Sequence, residues 1–167
     1  TFPILPVKQI RPRSMYNEVL QLLPYKSSFL FVDHITKLDE NGVTGDYTLR
    51  PESFFYEDHF PGHPVTPGVI LTEIMAQIGL VVLGIYLMGL QHKESDTRWN
   101  EDSFPLLSDT NVSFFRMVLP GEKVRVTSRK EYFRFGKLKC FIEMHSVSEE
   151  LVAKGTFAGM IKAAIKK

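Results

Sequence analysis

Cysteine and net charge are both scarce in this sequence of 167 residues. Its single cysteine, Cys140, excludes an intramolecular disulfide framework. Lysine and arginine number 20 against 19 aspartate and glutamate residues, and the resulting formal charge of +1 argues against nonspecific nucleic-acid binding. The start of the chain also lacks the basic segment, apolar run and small-residue cleavage site of a secretory signal. We therefore expect a reducing, cytoplasmic setting.

Length and composition predict one globular domain. The 44% of hydrophobic residues and 23% of charged residues are ordinary for a folded protein, and 167 residues can bury a substantial core. Residues 1–14 differ, because they combine three prolines with basic residues and show no periodicity. This stretch is either an N-terminal arm or an extension ahead of a natural start at Met15. The single domain then spans residues 15–167.

A short helix and a β-hairpin are predicted at the start of this domain. Apolar residues at helical spacing predict an amphipathic helix over residues 15–23. Residues 29–38 and 43–49 have the composition of strands, and Asn41-Gly42 between them is a strong signal for a tight turn. We therefore expect the two strands to pair as an antiparallel hairpin.

An irregular loop and a long apolar helix follow. Residues 51–66 are rich in proline and aromatic residues, whereas nearly every residue from 69 to 90 is apolar, and a helix is expected to begin at about Gly68. A helix of about 20 apolar residues could cross a membrane. Glu73 and Gln77 interrupt this one, however, and no second span or basic flanking loop accompanies it. We predict a buried central helix and no membrane span.

Four predicted strands occupy the rest of the domain, after a polar loop over residues 91–104. They cover residues 105–118, 122–133, 137–147 and 151–161. Their regular spacing predicts an antiparallel meander. One long apolar helix, preceded by two strands and followed by four, predicts an α+β architecture in which a curved antiparallel β-sheet wraps around the central helix.

One histidine and one acidic residue in this arrangement are candidates for acid/base chemistry. His59 lies in the proline-rich loop, and Glu73 lies in the long helix. An isolated histidine is most often structural, but a carboxyl within an otherwise apolar helix is costly to bury and needs a partner or a function. Together, His59 and Glu73 predict an acid/base pair beside a helix N-terminus.

Several further segments accompany this pair. They are Leu22-Leu23-Pro24-Tyr25, Phe29-Leu30-Phe31-Val32-Asp33, His59-Phe60-Pro61-Gly62, Pro67-Gly68-Val69, Ala76-Gln77, Val112-Ser113-Phe114-Phe115-Arg116 and Pro120-Gly121-Glu122. With the separation of fourteen residues between His59 and Glu73, they resemble the hot-dog-fold 3-hydroxyacyl-acyl-carrier-protein dehydratases (FabZ-like) over about residues 15–162. Asp58 and His63 depart from the family pattern, which usually has a glycine and a basic residue at those places.

The resemblance implies a hot-dog fold, in which the long helix lies in the hollow of the sheet. It also implies a homodimer, alone or within a trimer of dimers, whose sheet continues from one subunit to the next. Each active site would lie between subunits, with His59 from one chain and Glu73 from the other. The substrate would be a 3-hydroxyacyl chain on the phosphopantetheine of an acyl carrier protein. Its dehydration to the trans-2-enoyl product, in fatty acid or polyene biosynthesis, would need no cofactor.

The residue types can be assigned to the steps of that reaction. Neutral His59 suits removal of the weakly acidic C2 proton, and Glu73 can protonate the departing hydroxide if its apolar surroundings keep it protonated. The backbone N–H of Gly68 can stabilise negative charge on the thioester oxygen, although a glycine is also a common structural residue at a helix start. Gln77, one turn beyond Glu73, either orients the carboxyl or supports a loop or the dimer contact.

Aromatic residues near the pair could line an apolar tunnel for the acyl chain, although such residues more often belong to the core. The candidates are Phe54, Phe55, Phe60, Phe114 and Phe115. An acidic carrier protein would need a basic rim beside the tunnel. The candidates for that rim are Lys26, Arg116, Arg129 and Lys130.

Two other functions and a metal site are the alternatives. The hot-dog scaffold also serves acyl thioesterases and noncatalytic acyl-binding subunits. His59 and His63 have the spacing of metal ligands on a helix, but Pro61 and Pro64 make a helix there implausible, so no metal is expected.

Overall fold

The computed structural model describes residues 12–91 and 103–163, which leaves residues 1–11 of the predicted arm and most of the predicted polar loop outside the description. Helix α1 spans Pro12–Gln21, and a 3-10 turn spans Ser27–Phe29. Helix α2 begins as an α-helix at Gly68–Ala76, continues as a π-helix at Gln77–Val82 and ends as an α-helix at Leu83–Gln91. The strands are β1 (His34–Asp39), β2 (Gly42–Thr48), β3 (Ser103–Phe114), β4 (Lys123–Arg134), β5 (Lys137–Ser146) and β6 (Leu151–Ala163).

The elements agree in kind with the sequence prediction, and α1 and β1 show the largest differences in where they start. Helix α1 begins at Pro12 rather than at Met15, since a proline is well suited to the first turn of a helix. Strand β1 begins at His34 rather than at Phe29. The backbone before it is bound by a side chain instead of a strand, because Phe31 N–H donates to Gln77 Oε1 at 2.8 Å.

The predicted hairpin between β1 and β2 is confirmed, with the turn one residue earlier than expected. Asp39 pairs with Gly42, so Glu40 and Asn41 form the turn. The Asp39 carboxylate accepts hydrogen bonds from the N–H groups of Asn41 (2.8 Å) and Gly42 (3.1 Å), and the bond from Asn41 is the main reason that the pKa of Asp39 is lowered. A Cβ on Gly42 would lie 2.1 Å from the Ser128 carbonyl oxygen of β4. Glycine is therefore required here by close strand approach.

The six strands form one antiparallel sheet in the order β1-β2-β4-β5-β6-β3. Strands β4, β5 and β6 form the predicted meander, but the expectation that β3 belongs to it is wrong. Strand β3 pairs with β6, from Ser103↔Ala163 to Phe114↔Ala153, and lies at the far edge of the sheet. The spacing of turns along a sequence indicates where strands end, whereas the partner of β3 depends on how α2 carries the chain across the sheet.

Helix α2 forms the centre of the core. The span Gly68–Gly89 is long and apolar enough to cross a membrane, but 78% of its most apolar stretch is buried inside the protein. It packs closely on the sheet, because a Cβ on Gly79 would lie 2.4 Å from Ile142 Cδ1 of β5. It is therefore a core helix, and the predicted α+β architecture with a sheet around it is confirmed.

Candidate active site

The loop before α2 holds His59 by backbone contacts on both sides. The His59 N–H donates to the Phe55 carbonyl at 3.1 Å, and the Val65 N–H donates to the His59 carbonyl at 2.9 Å. The imidazole is fixed as well, because its Nδ1 lies 2.8 Å from the Val65 carbonyl oxygen. A carbonyl can only accept, so Nδ1 carries the proton and Nε2 of the neutral ring keeps its lone pair. Nε2 is thus prepared to act as a base.

The neighbours of His59 are aromatic rather than acidic. The Phe60 ring stacks on the imidazole with 4.1 Å between ring centroids, and the His59–Phe60 peptide bond is cis. Asp58 and His63 are both exposed, and Val65 rather than Asp58 holds Nδ1. The two departures from the family pattern therefore lie at the surface of the loop.

Glu73 is held by Gln77 one turn further along α2. The Gln77 side chain is completely buried and donates to Glu73 Oε1 at 2.8 Å. The same Gln77 amide nitrogen donates to the Phe29 carbonyl at 2.9 Å, while Gln77 Oε1 accepts a hydrogen bond from the Phe31 N–H. Gln77 was predicted either to orient the Glu73 carboxyl or to support a loop or the dimer contact, and it contacts both the carboxyl and a loop. It fixes the Glu73 oxygen relative to the segment that covers the helix.

Tyr25 belongs to one of the segments that carry the family resemblance but received no role in the sequence prediction, and it lines the same cavity as Glu73. Tyr25 is half-buried, and its pKa is raised well above the usual value for tyrosine. Burial is the main cause of this rise, and the charge of Glu73 is the second. Its hydroxyl donates no hydrogen bond to any residue in the described ranges. Nothing in its local pattern distinguishes it from a core aromatic residue. Only the packing of its segment against α2 places it beside Glu73.

Gly68 begins helix α2, with Pro67 as the residue before it. Within the described ranges, no hydrogen bond is donated by the N–H of Gly68 or of Val69, as expected for the first turn of a helix. A Cβ on Gly68 would lie 3.3 Å from the Phe114 ring. The Gly68 N–H is therefore a free donor next to an aromatic surface.

An apolar cavity of about 170 Å³ lies between α2 and the β3–β6 side of the sheet. Glu73 and Tyr25 provide polar atoms at its edge. The rest of the wall is mainly apolar and consists of Ala76, Leu80, Val81, Gly84, Pro105, Leu106, Leu107, Phe133, Gly136, Leu138, Gly159, Met160 and Ile161. A cavity of this kind suits a hydrocarbon chain with a polar group near the carboxyl.

The five aromatic residues expected to line a tunnel are absent from the wall of this cavity. Phe55 is buried in the core, where it packs against Phe54 and Tyr56. The other four are 47–64% exposed on the single chain, namely Phe54, Phe60, Phe114 and Phe115. Phe60 borders His59 and Phe114 borders Gly68, so these two rings lie beside the catalytic candidates rather than along the cavity.

The candidate basic residues for carrier binding have different surroundings. Arg116 is already paired, with Glu122 at 2.7 Å and with Glu150 at 3.1 Å, and therefore suits a structural role. Lys26 is exposed and follows Tyr25 directly. Arg129 is exposed with its guanidinium 5.8 Å from the centre of the Phe141 ring. Over residues 12–91 and 103–163, no group of three or more His, Cys, Asp and Glu side chains could hold a metal ion.

The two principal candidates are held separately in the single chain. No hydrogen bond or ion pair connects the described side chains of His59 and Glu73, and His59 is not among the residues that line the cavity that Glu73 borders. Each side chain is instead fixed by its own local contacts.

Comparison with known proteins identifies the family. The sequence model of the FabA-like domain matches residues 23–151. The chain is 32% identical over 146 residues to a 3-hydroxyacyl-[acyl-carrier-protein] dehydratase FabZ of Rickettsia typhi, covering 87% of this chain and 94% of that protein. It is 33% identical over 147 residues to the FabZ of Geobacter metallireducens, covering 85% and 92%.

Similar solved structures have the same fold at lower sequence identity. The dehydratase heterocomplex ApeI:P from Xenorhabdus doucetiae matches with a TM-score of 0.67 at 14% identity, over 85% of this chain and 89% of that chain. A hypothetical thioesterase with coenzyme A from Streptococcus pneumoniae matches with a TM-score of 0.54 at 9% identity, over 80% and 88%. The hot-dog architecture is thus established by structure, and the sequence matches show that this chain belongs to the FabA-like family, among the relatives of the FabZ dehydratases.

Proposed function

We propose that this chain dehydrates (3R)-3-hydroxyacyl thioesters, presented on the phosphopantetheine of an acyl carrier protein, to trans-2-enoyl thioesters. The observation that carries the proposal is the apolar cavity with the Glu73 carboxyl at its edge. Its walls can hold an acyl tail while the hydroxyl group of the substrate reaches the carboxyl. The FabZ relatives support the same reaction. A cytoplasmic location, where acyl carrier protein would be available, is part of the proposal.

His59 is the proposed base. Its Nδ1 proton is held by the Val65 carbonyl, so Nε2 can accept the C2 proton of the substrate. The electrons of the broken C2–H bond then form the C2=C3 double bond. Negative charge that develops on the thioester oxygen during this step can be stabilised by the free N–H of Gly68 and by the positive end of α2.

Glu73 is the proposed acid. As the C3–O bond breaks, the protonated carboxyl transfers its proton to the oxygen, which leaves as water. Gln77 holds Glu73 Oε1 at 2.8 Å and thereby leaves the other carboxyl oxygen to face the substrate. At the end of the step His59 is protonated and Glu73 is ionised. A proton must return from His59 to Glu73 through solvent before the next turnover.

The partner that completes the site is proposed to be a second copy of this chain. Strand β3 pairs with β6 on one side only and is therefore an edge strand. Its exposed large apolar residues are Phe104, Leu106, Leu107 and Phe114, and Asp109 is its only charged residue. A long apolar edge is usually covered, because an open edge promotes uncontrolled pairing. Pairing of β3 with the partner's β3 would continue the sheet and cover it.

Mixing two inactive variants tests both the pair and the dimer. His59→Ala and Glu73→Gln should each reduce dehydration at least about a hundredfold while leaving the protein folded. If each site takes His59 from one chain and Glu73 from the other, a mixed dimer contains one intact site. Random subunit exchange should then restore about a quarter of wild-type activity.

The controls for this experiment separate the outcomes. Each variant mixed with itself should stay inactive, and mass measurement in solution should give a dimer of identical chains. No recovery after demonstrated exchange would refute the shared site. A chain that stays monomeric until a different hot-dog subunit is added would refute the homodimer.

Product analysis separates dehydration from the other candidate functions. The assay uses wild-type protein with 3-hydroxyacyl thioesters on acyl carrier protein, both saturated and polyunsaturated. Absorbance of the conjugated enoyl thioester reports dehydration, and a thiol reagent reports thioester hydrolysis. Release of free thiol without enoyl product would favour a thioesterase. Tight acyl binding with neither product would favour a binding subunit.

A further inference from the structure

The cavity beside Glu73 follows one face of α2. The helix residues in its wall include Glu73, Ala76, Leu80 and Gly84, at successive separations of three and four residues. Glu73 is at one end of this row and Gly84 is at the other. At about 1.5 Å per residue along a helix, the row is on the order of 15 Å long. The wall therefore has the dimensions of a channel for an extended chain that starts at the carboxyl.

Gly84 is the end of this row, and its lack of a side chain is not explained by packing. A Cβ on Gly84 would meet only Leu138 Cδ2, at an ordinary contact distance of 3.7 Å. By contrast, a Cβ on Gly79 would lie 2.4 Å from Ile142, and one on Gly159 would lie 2.7 Å from Leu80. Those two glycines are required by close contacts. A Cβ on Gly84 would fit without a clash, and a longer side chain there would extend into the cavity that Gly84 lines. Close packing therefore does not require this glycine, although a glycine within a helix destabilises the helix relative to alanine.

The opposite wall at this end comes from the β4–β5 hairpin. Phe133, Gly136 and Leu138 line the cavity there, and Leu138 is itself buried. Leu138 of the hairpin thus borders the cavity next to Gly84. A hydrocarbon end placed there would be removed from water, which stabilises the complex with each added methylene group.

We propose that Gly84 determines the acyl chain length that this protein accepts, because a larger side chain at this position would occupy the end of the cavity beside Leu138. The inference rests on the proposed dehydratase function and deepens it. It assigns the protein to medium-length and longer 3-hydroxyacyl substrates. An extended alkyl chain zigzags and therefore advances less than one C–C bond of about 1.5 Å per carbon, so a row of this length can hold a tail on the order of ten carbons or slightly more.

The test fills the space with a side chain and measures the chain-length profile. The variants are Gly84→Ala and Gly84→Leu, and the control is Gly89→Leu, the same change further along α2 at an exposed position with open space around it. Each is assayed as kcat/KM on 3-hydroxyacyl pantetheine thioesters from butyryl to tetradecanoyl. Gly84→Leu should lower kcat/KM for the longest chains at least about tenfold, since it excludes two or three methylene groups from the cavity.

The expected profile distinguishes this role from a general defect. In Gly84→Leu the loss of kcat/KM should grow with chain length, so that the ratio of butyryl to tetradecanoyl kcat/KM rises at least about tenfold over that of wild type. Gly84→Ala should shift the profile less, and Gly89→Leu should leave it unchanged. A folded Gly84→Leu protein with the wild-type profile would overturn the inference, and so would an equal loss at every chain length.

Failure of the proposed function gives a different result. If wild-type protein dehydrates none of the thioesters, the dehydratase function fails, and calorimetry with nonhydrolysable acyl pantetheine thioethers then tests the cavity alone. Affinity that rises with chain length in wild-type protein, and stops rising in Gly84→Leu, supports the tail site. Affinity that does not depend on chain length in wild-type protein overturns it.

Discussion

Replacing Gln77 with methionine would nearly conserve the volume of a completely buried side chain while removing its three hydrogen bonds. The N–H of Phe31, a residue that is 2% exposed, would lose its acceptor, and an unsatisfied buried N–H costs about 1–3 kcal/mol. The carbonyl of Phe29 belongs to an exposed residue and can bind water, so it contributes less. We expect the free energy of unfolding to fall by about 2–3 kcal/mol, which a domain of ordinary stability survives.

The same change should impair catalysis through Glu73. Without the donor at 2.8 Å, the carboxyl is free to rotate away from the position that protonates the leaving oxygen. A hydrogen bond to a neutral carboxyl is worth about 0.5–1.5 kcal/mol, so kcat should fall about twofold to tenfold. KM should change less, because the apolar wall that holds the acyl chain stays intact.

Urea denaturation and steady-state dehydration measure the two effects separately. Thr72→Val is the matched control, since it removes one hydrogen bond of the same helix, from Thr72 Oγ1 to the Gly68 carbonyl, one residue away from Glu73. The control should lose about 1 kcal/mol or less and keep its kcat. A Gln77→Met protein with wild-type stability, or with wild-type kcat, would refute the role described for Gln77.

Three further substitutions test other contacts. Tyr25→Phe removes the hydroxyl of the one residue besides Glu73 that has a polar side chain among the described residues lining the cavity. It should lower kcat severalfold without loss of the fold, measured by turnover of a pantetheine thioester, and unchanged turnover would exclude the hydroxyl from the reaction. Lys26→Glu should weaken turnover of carrier-bound substrate while sparing the short pantetheine thioester, and equal loss on both would contradict a carrier contact. The Arg116 guanidinium is the main cause of a lowered pKa of Glu122. Wild type should therefore be more stable than Glu122→Gln above about pH 4.5, and this advantage should disappear as the pH falls through the lowered pKa. Urea titrations at several pH values measure it, and an advantage that persisted at lower pH would contradict the pairing.

Local signals in the sequence predicted most elements of the fold because these elements depend on neighbouring residues. The apolar run that starts at Gly68 and the Asn41-Gly42 pair each located an element to within a residue or two. The place of β3 could not be predicted in this way. Its pairing with β6 depends on contacts between residues far apart in the sequence, for which spacing gives no information.

The candidate site was predictable to a similar extent. His59 and Glu73 were chosen as candidates by residue type and context, and the structure gives the contacts that hold them, the carbonyl of Val65 and the side-chain amide of Gln77. Their roles stay predictions. Tyr25 received no role in the sequence prediction, and the residues that line the cavity were not among the aromatic candidates. Small and aliphatic residues such as Gly84 and Leu138 resemble ordinary core in a sequence, and only their arrangement around an empty volume distinguishes them.

The π-helical segment Gln77–Val82 is a place where helix α2 can change its length without loss of the site. A π-helical turn closes its hydrogen bond over one residue more than an α-helical turn, so removal of one residue here can return the segment to α-helical geometry. Glu73 and Gly84 would then keep their present directions on either side of the change. Removal of one residue from the α-helical part between Gly68 and Ala76 would instead turn the side chains that follow by about 100°.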